Sequence, residues 1–410
     1  MYTTNKERMT EKITAFSKFG DLGNGGVTRL SLSPPALEAR AEFKKRAEAL
    51  GMTVESDDIG NIYATLPGSE QGLKRIVMGS HVDSVRSGGN YDGIYGVLSS
   101  LEAVETIVAD GIPHRHPLTV MIWTNEEGAR FAPAMMSSGI VLGKFEKEKM
   151  LAVAETGGKA TFGEALEASG WIGPEQNRLN TNEYCAYFEP HIEQGPVLDE
   201  EGIEIGVVGG VVGMVNYDII LEGVSSHAGT TPQNYRKDAL RAASRTILEL
   251  WDKLGALDPR LVFTTGEIHC KPNIHTVVPN YVKFSLDARH QDMGVLEQVV
   301  DIIRDLPKDV YGCRLSYEEH WGRKTIGFDD RLLGYIEAAA NGLGYTNKRM
   351  YSGAGHDAQY VSEMLPAVML FIPSRDGLSH TVVEYSSPEQ TWHGANVLLN
   401  AVLAADAEME

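Results

Sequence analysis

Cysteine is scarce. The three present, Cys185, Cys270 and Cys313, are far apart in 410 residues and never take a Cys-x-x-Cys spacing. That excludes a disulfide framework and a thiolate zinc site, and it suits a reducing cytoplasm. Long apolar runs are also missing. The most apolar stretch, "IGVVGGVVGMV" at 205–215, is short and glycine-rich, well under the ~20 residues a membrane span needs. The N-terminal "MYTTNKERMTEK" has no basic stretch leading into an apolar one, so no secretory signal is expected. Positive charge is in deficit: 37 Lys and Arg against 56 Asp and Glu leave a net charge of −19. This argues against a nucleic acid or an anionic membrane as partner. What is present is ordinary globular composition, 42% hydrophobic and 23% charged, in a length that suits roughly two to three domains.

Strands and helices alternate in the first half. "SPPALEARAEFKKRAEALG" reads as a helix with Ser33 as cap, Pro35 in its first turn and Gly51 as stop. "NIYATLPG", "RIVMGSHVDS" and "LTVMIWT" read as strands, and "GIYGVLSSLEAVETIVADG" as a buried helix ending at Gly111. Such alternation predicts an α/β fold with helices on both faces of the sheet. From about residue 212 the order becomes βαββαβ, that of a split-βαβ, ferredoxin-like unit. Its first helix, "RKDALRAASRTILELWDKLG", carries Leu240, Ile247, Leu248 and Trp251 at helical spacing, and "RLVFTTGEIHC" reads as one strand. Residues 212–322 are therefore expected to be an inserted α+β domain. It would separate catalytic segments 1–211 and 323–410, the second resuming near Phe328 with "RLLGYIEAAANGLG" and "AVMLFIP".

In α/β sheets, ligands bind beyond the carboxyl ends of the strands, and the chemistry-bearing residues fall there. In "GSHVDSVRSGGNYDGIYG", His81 follows a strand, Asp83 stands two residues on, and Asp92 sits in a glycine-rich turn before a helix. "VMIWTNEEGARF" sets Glu126 and Glu127 side by side after another strand. "YFEPHIEQGP" adds His191 after a strand, and "GLSHTVVE" adds His380. A pair of metal ions needs several ligands and one bridging carboxylate. His81, Asp92, Glu127, His191 and His380 fill that list with Asp92 as the bridge, and imidazole with carboxylate suits zinc, manganese or cobalt. Asp83 is expected to accept the second imidazole proton of His81 and fix its tautomer. Glu126 then has its own task, taking a proton from the attacking water and returning it to a leaving nitrogen. Set against this, a lone His-x-Asp is more often structural, and Glu126 and Glu127 alone could be a solvated loop pair.

Together "GSHVDSVRSGGNYDGIYGV", "TNEEGARF", "EPHIEQGPVLD", "SSHAGTTP" and "SGAGHDA…FIPSRDGLSH" resemble the hydantoinase/carbamoylase-type amidases of the binuclear metallopeptidase-aminoacylase clan. Members include allantoate amidohydrolases, N-carbamoyl-L-amino-acid hydrolases and yeast-type β-ureidopropionases. The resemblance runs in order from about residue 17 to the C-terminus. It implies two divalent metals on the five ligands named and Glu126 as general base. Histidine at 191, where peptidase-like branches are expected to carry a carboxylate, points to the amidase branch. The resemblance further implies that 212–322 is a lid and dimerisation domain, so that the protein is a homodimer. His227, in "SSHAGTTP", matches a lid histidine that polarises the scissile carbonyl and that, in related enzymes, reaches the site from the partner subunit. Arg289, in "LDARHQD", matches an arginine that grips the substrate carboxylate. The plainer alternatives are a turn histidine and a surface ion pair. Gln194 is a further candidate for lining the site.

The departures from the pattern fall where substrate is read. "TVVP" stands for the usual "NVVP", so a substrate-binding asparagine becomes Thr276, with Asn273 as possible compensation. "HTVVE" stands for "HNPAE", and the first lid strand carries Met214, Val215 and Asn216 where allantoate amidohydrolases tend to be polar or basic. The glycines of "GVVGGVVG" precede a strand, not a helix, which argues against a dinucleotide site and for a hinge. His114 and His116, in "PHRH", precede a strand and are expected in a surface loop. The expected activity is hydrolysis of the carbamoyl C–N bond of an N-carbamoyl-L-amino acid or allantoate, a small substrate bearing a carboxylate. The competing readings are an N-acyl-amino-acid deacylase or dipeptidase on the same scaffold, and a catalytically inactive binding protein.

Overall fold

The computed structural model describes residues 1–409. The chain divides into two compact units, one formed by Met1–Gly210 with Gly327–Glu410 and the other by Val211–Ile326.

The first unit is built on a mixed sheet. Seven of the sheet's nine strands run in the spatial order Thr53–Ser56, Ile62–Leu66, Leu118–Trp123, Arg75–His81, Tyr184–Ile192, Ala367–Ile372 and Ile205–Val211. The strand Arg75–His81 is parallel to both its neighbours, and Ala367–Ile372 is parallel to Tyr184–Ile192. Every residue of Leu118–Trp123, Tyr184–Ile192 and Ala367–Ile372 is buried, as expected of strands covered on both faces. Helices supply the cover. Ile94–Asp110 buries thirteen of its residues and stops at Gly111, which sits at φ 62° as a left-handed C-cap. Each buried Leu, Ile or Val of this helix contributes roughly 1.5–3 kcal/mol. Strand register aligns the ends of the central strands: His81 pairs with Trp123, and His191 with Phe371. The carboxyl ends of these strands, and the loop after Trp123, therefore share one edge.

The second unit is a six-stranded antiparallel sheet with two helices, Ala239–Gly255 and Met293–Arg304. The central strand Tyr281–His290 alternates strictly: Val282, Phe284, Leu286 and Ala288 are buried, while Lys283, Ser285, Asp287 and Arg289 face outward.

Several sequence expectations need correction. "RLVFTTGEIHC" makes two short strands, Val262–Thr264 and Ile268–Lys271, both paired to Tyr281–His290. Ser33 stands at the N-cap of Pro34–Ala49, but its side chain makes no cap bond. Prolines at 34 and 35 have removed two of the donors a cap would satisfy. His116 is not in a surface loop: it is fully buried, with Nδ1 2.6 Å from the carbonyl oxygen of Lys74 and Nε2 3.1 Å from that of Met409. "GVVGGVVG", expected as a hinge, lies in strand Ile205–Val211 and the start of strand Gly213–Glu222. In the helix Ala239–Gly255 the packed face is Ala239, Ala242, Ala243, Thr246, Leu250 and Leu254, with Ile247 partly covered. Leu240, Leu248 and Trp251, which the spacing groups with Ile247 in one apolar stripe, are exposed at 40%, 61% and 48%. Among the described residues, no helix is long and apolar enough to cross a membrane.

Candidate active site

His81 closes its strand and His191 lies within the last turn of pleat of Tyr184–Ile192, so both imidazoles leave the same sheet edge. Each has its Nδ1 facing a main-chain carbonyl: that of Asp83 at 2.9 Å for His81, and that of Ile192 at 2.9 Å for His191. Nδ1–H therefore donates, and Nε2 is left with a lone pair. The Nε2 of His191 accepts a hydrogen bond from the Gly93 amide at 3.2 Å, which agrees with that tautomer. Yet both lone pairs face Asp92 Oδ1, at 3.6 Å from His81 and 3.2 Å from His191. A lone pair against a buried carboxylate oxygen is repulsive unless a proton or a cation lies between them.

The other carboxylate oxygen of Asp92 faces a second group. His380 Nε2 is 3.1 Å from Asp92 Oδ2 and 3.3 Å from Glu127 Oε2. The ligand atoms thus fall into two sets close enough to hold an ion each: His81, Asp92 and His191, and Asp92, Glu127 and His380. Asp92 belongs to both. Glu127 Oε1 is buried with no hydrogen-bond partner, which a cation would supply. The donors are imidazole and carboxylate, the types that suit zinc, manganese or cobalt.

Glu126 is buried beside these groups, with Oε2 3.5 Å from His81 Nε2. Burial, and then the charges of Asp357, Glu127, Asp83 and Asp92, push its carboxyl well above the ordinary range. Burial, Asp92 and Asp83 do the same to Glu127. Burial would raise Asp92 too, but His191 and His380 hold it well below the usual value. This conflict among crowded acids is what positive charge between them relieves.

Asp83 works differently from expectation. Its backbone carbonyl, not its carboxylate, accepts from His81; the carboxylate is 3.9 Å from that ring. Instead the carboxylate accepts the backbone N–H of Glu126 at 3.4 Å and of Glu127 at 3.3 Å. One acid thus braces the main chain that presents the other two. Asn125 just before them, Gln194 and His380 all have positive φ, at 61°, 59° and 56°. For a residue with a Cβ this costs roughly 1–2 kcal/mol, and such strain collects at functional sites.

Gly93 explains the glycine-rich turn. It sits at φ 65°, and an added Cβ would lie 2.2 Å from Cε1 and 2.3 Å from Nε2 of His81. Gly93→Ala should therefore displace the His81 ring and lower cation affinity by about tenfold or more. A zinc titration with a competing chelator measures it; unchanged affinity would show that the ring has room to move.

Gln194 also joins this group, donating from Nε2 to Asp92 Oδ2 at 2.8 Å. Sequence reasoning missed several neighbours. His356 is buried with its ring 4.5 Å from that of His191. Glu189 accepts from Ser80 and from the Ala358 amide, and Asp357 accepts from Ser138. Ser379 and Glu384 both bond into the Asp92 turn. "GHDA" and "LSHTVVE" carry four of these side chains in plain view, but no local spacing sets them apart.

The remaining candidates belong to the second unit and form two groups there. His227 pairs with Val277 in a short two-strand ladder, and the Ala228 amide donates to the Thr276 carbonyl at 2.9 Å. His227 is exposed, and its Nδ1 accepts from the Gly229 amide at 3.1 Å. Asn273, at φ 57°, is exposed in the same loop. On the outward sheet face Arg289 Nε donates to Asp287 Oδ1 at 2.8 Å, and Asn216 Nδ2 lies 3.4 Å from Asp287 Oδ2. The arginine fork is thus engaged by a carboxylate two residues away on its own strand.

Comparisons with known proteins agree with this architecture. Residues 77–404 match the model of peptidase family M20/M25/M40. An N-carbamoyl-L-amino-acid amidohydrolase of Rhizobium meliloti is 37% identical over 405 residues, 97% of this chain and 96% of its own. An allantoate amidohydrolase of Bacillus subtilis (strain 168) is 35% identical over 398 residues, 96% of each chain. The crystal structure of a hydantoinase/carbamoylase-family amidase from Burkholderia multivorans superposes with a TM-score of 0.93 at 38% identity, covering 99% of both chains. The chain belongs to the M20/M25/M40 peptidase family, among its hydantoinase/carbamoylase-type amidases, and is a hydrolase acting on C–N bonds.

Proposed function

We propose that the protein hydrolyses the carbamoyl C–N bond of an N-carbamoyl-L-amino acid or of allantoate, using two divalent cations. The observation that carries this is the division of Asp92 between two ligand sets, with Glu126 Oε2 3.5 Å from His81 Nε2. Cations bound there would supply a positive field that lowers the pKa of water toward neutrality. Glu126 accepts the proton of the attacking water and returns it to the departing nitrogen. Asp83 keeps Glu126 in place through its backbone amide. His227 is the proposed donor to the developing oxyanion. Arg289 is the proposed grip on the substrate carboxylate, exchanging Asp287 for it. Gln194, Asn216, Asn273 and Thr276 are the proposed further substrate contacts.

The relatives are named for both carbamoyl-amino-acid and allantoate hydrolysis, and Thr276 with the "HTVVE" segment departs from the common pattern. A panel on cation-loaded protein tests the reading: allantoate, N-carbamoyl-L- and D-amino acids, carbamoyl-β-alanine, N-acetyl-amino acids and dipeptides. A carbamoyl substrate or allantoate should be turned over about tenfold or more faster than any acetyl or peptide substrate. Preference for an acetyl or peptide substrate would reassign the protein to deacylation or dipeptide cleavage.

A homodimer through the second unit is also proposed. Leu248, Trp251 and Val262 are exposed there at 61%, 48% and 67%, and apolar surface of this kind is usually covered by a partner. Replacing Leu248 and Trp251 together by glutamate should leave the circular dichroism unchanged and give a monomer in sedimentation velocity. A dimer that survives the change would place the interface elsewhere. The three cysteines are unpaired, which fits the proposed cytoplasmic location.

A further inference from the structure

We propose that Glu384 is a positioning residue that ties Asp92 and His380 together. It thereby sets the affinity for the cation held by Asp92, Glu127 and His380 far more than for the one held by His81, Asp92 and His191. This rests on the two-cation reading above.

Glu384 is buried, 4% exposed, in a segment far in sequence from the Asp92 turn. Its Oε1 accepts the backbone N–H of Tyr91 at 2.9 Å and of Asp92 at 3.1 Å. Its Oε2 is 2.8 Å from the Ser379 hydroxyl, next to His380. The Ser379 oxygen is also 3.1 Å from Asp92 Oδ2. One carboxylate thus grips the main chain on one side of the site and the residue before a ligand on the other. The fit is close, because an added Cβ at Gly89 would lie 2.2 Å from Glu384 Oε1. The same two segments meet again where the Tyr91 and Tyr385 rings stack edge-on at 5.9 Å.

The asymmetry follows from which oxygen is held. Asp92 Oδ2, on the side of His380, receives Gln194 and Ser379. Asp92 Oδ1 faces His81 and His191, whose rings are fixed by the carbonyls of Asp83 and Ile192. Glu384 touches none of those anchors. His380, by contrast, is held at φ 56° with a side chain 51% exposed. It relies on its neighbours for its place. Ser379 has one hydroxyl proton to give to Glu384 or to Asp92, so removal of the carboxylate frees that hydroxyl and loosens both ends at once.

The test separates the two sites by deletion. Metal-free protein is titrated with cobalt(II) against a competing chelator, in His191→Ala and His380→Ala backgrounds, each with and without Glu384→Ala. Glu384→Ala should weaken binding in the His191→Ala background by about 10–100-fold, and by a much smaller factor in the His380→Ala background. Glu384→Gln keeps one oxygen for the two backbone amides and should restore most of the loss. Ser379→Ala should reproduce the same selectivity at smaller size, and it carries the test if Glu384→Ala does not fold. Equal losses in both backgrounds, or none in either, would overturn the proposal. Wild-type protein that binds fewer than two equivalents would instead overturn the two-cation reading itself.

Discussion

Glu126→Gln should retain the fold and its full complement of cations while losing roughly two or more decades of kcat, the usual consequence of deleting a general base. Glutamine has the same shape and keeps the backbone N–H that Asp83 accepts at 3.4 Å. It cannot take up a proton. Glu126 lies outside both ligand sets, although its Oε2 is 3.5 Å from His81. Metal content and kcat should therefore separate: the first unchanged, the second collapsed, with KM little altered. Glu127→Gln should behave in the opposite sense and lose metal first. A Glu126→Gln protein with near-normal turnover would remove this residue from the chemistry and leave its crowded, acid-rich surroundings without a function.

Asp92→Asn should have the largest effect on the cations. Asp92 is the one side chain shared by both sets, offering Oδ1 to His81 and His191 and Oδ2 to His380. An amide has one acceptor oxygen and an NH2 that repels a cation. Whichever way it turns, one set loses its bridging ligand, so dialysed protein should hold at most one equivalent of metal and show no measurable turnover. Thermal unfolding gives an independent reading. Cations that bind only the native state raise its stability, so a chelator should lower the wild-type Tm clearly and the Asp92→Asn Tm much less. Two equivalents in the variant would mean that the two sets do not share Asp92 when loaded.

The fold is largely legible in the sequence because it rests on periodicity. Largely apolar runs such as "LTVMIW" announce strands covered on both faces, and the strict alternation of "YVKFSLDARH" announces a strand covered on one. Helix Ala239–Gly255 shows the limit of that method. Leu240, Ile247, Leu248 and Trp251 make a convincing stripe, yet the chain covers mainly the alanine-rich face, with Leu250 and Leu254. Spacing reports that residues share a face; it does not report which face this chain buries within itself.

The candidate ligands are legible for another reason. Imidazoles and carboxylates at strand exits are rare enough, and ordered enough along the chain, to be named before the fold is known. Their neighbours are not. A two-residue spacing assigns Asp83 to the His81 ring, whereas its carboxylate turns to the amides of Glu126 and Glu127, more than forty residues on. Its place before a strand assigns His116 to the surface, but carbonyls from Lys74 and Met409 enclose it.

By itself the sequence determined the alternation of strands and helices, the kinship with carbamoyl-cleaving amidases, and the residue types from which a cation site could be made. Only the tertiary structure decided which oxygen of Asp92 faces which set, that a main-chain carbonyl orients His81, and that Glu384 joins the two loops. Side-chain chemistry and hydrophobic rhythm are local properties and survive in the linear order. A hydrogen bond between residues 92 and 384 depends on how the sheet brings distant loops to one edge, and nothing near either residue encodes it.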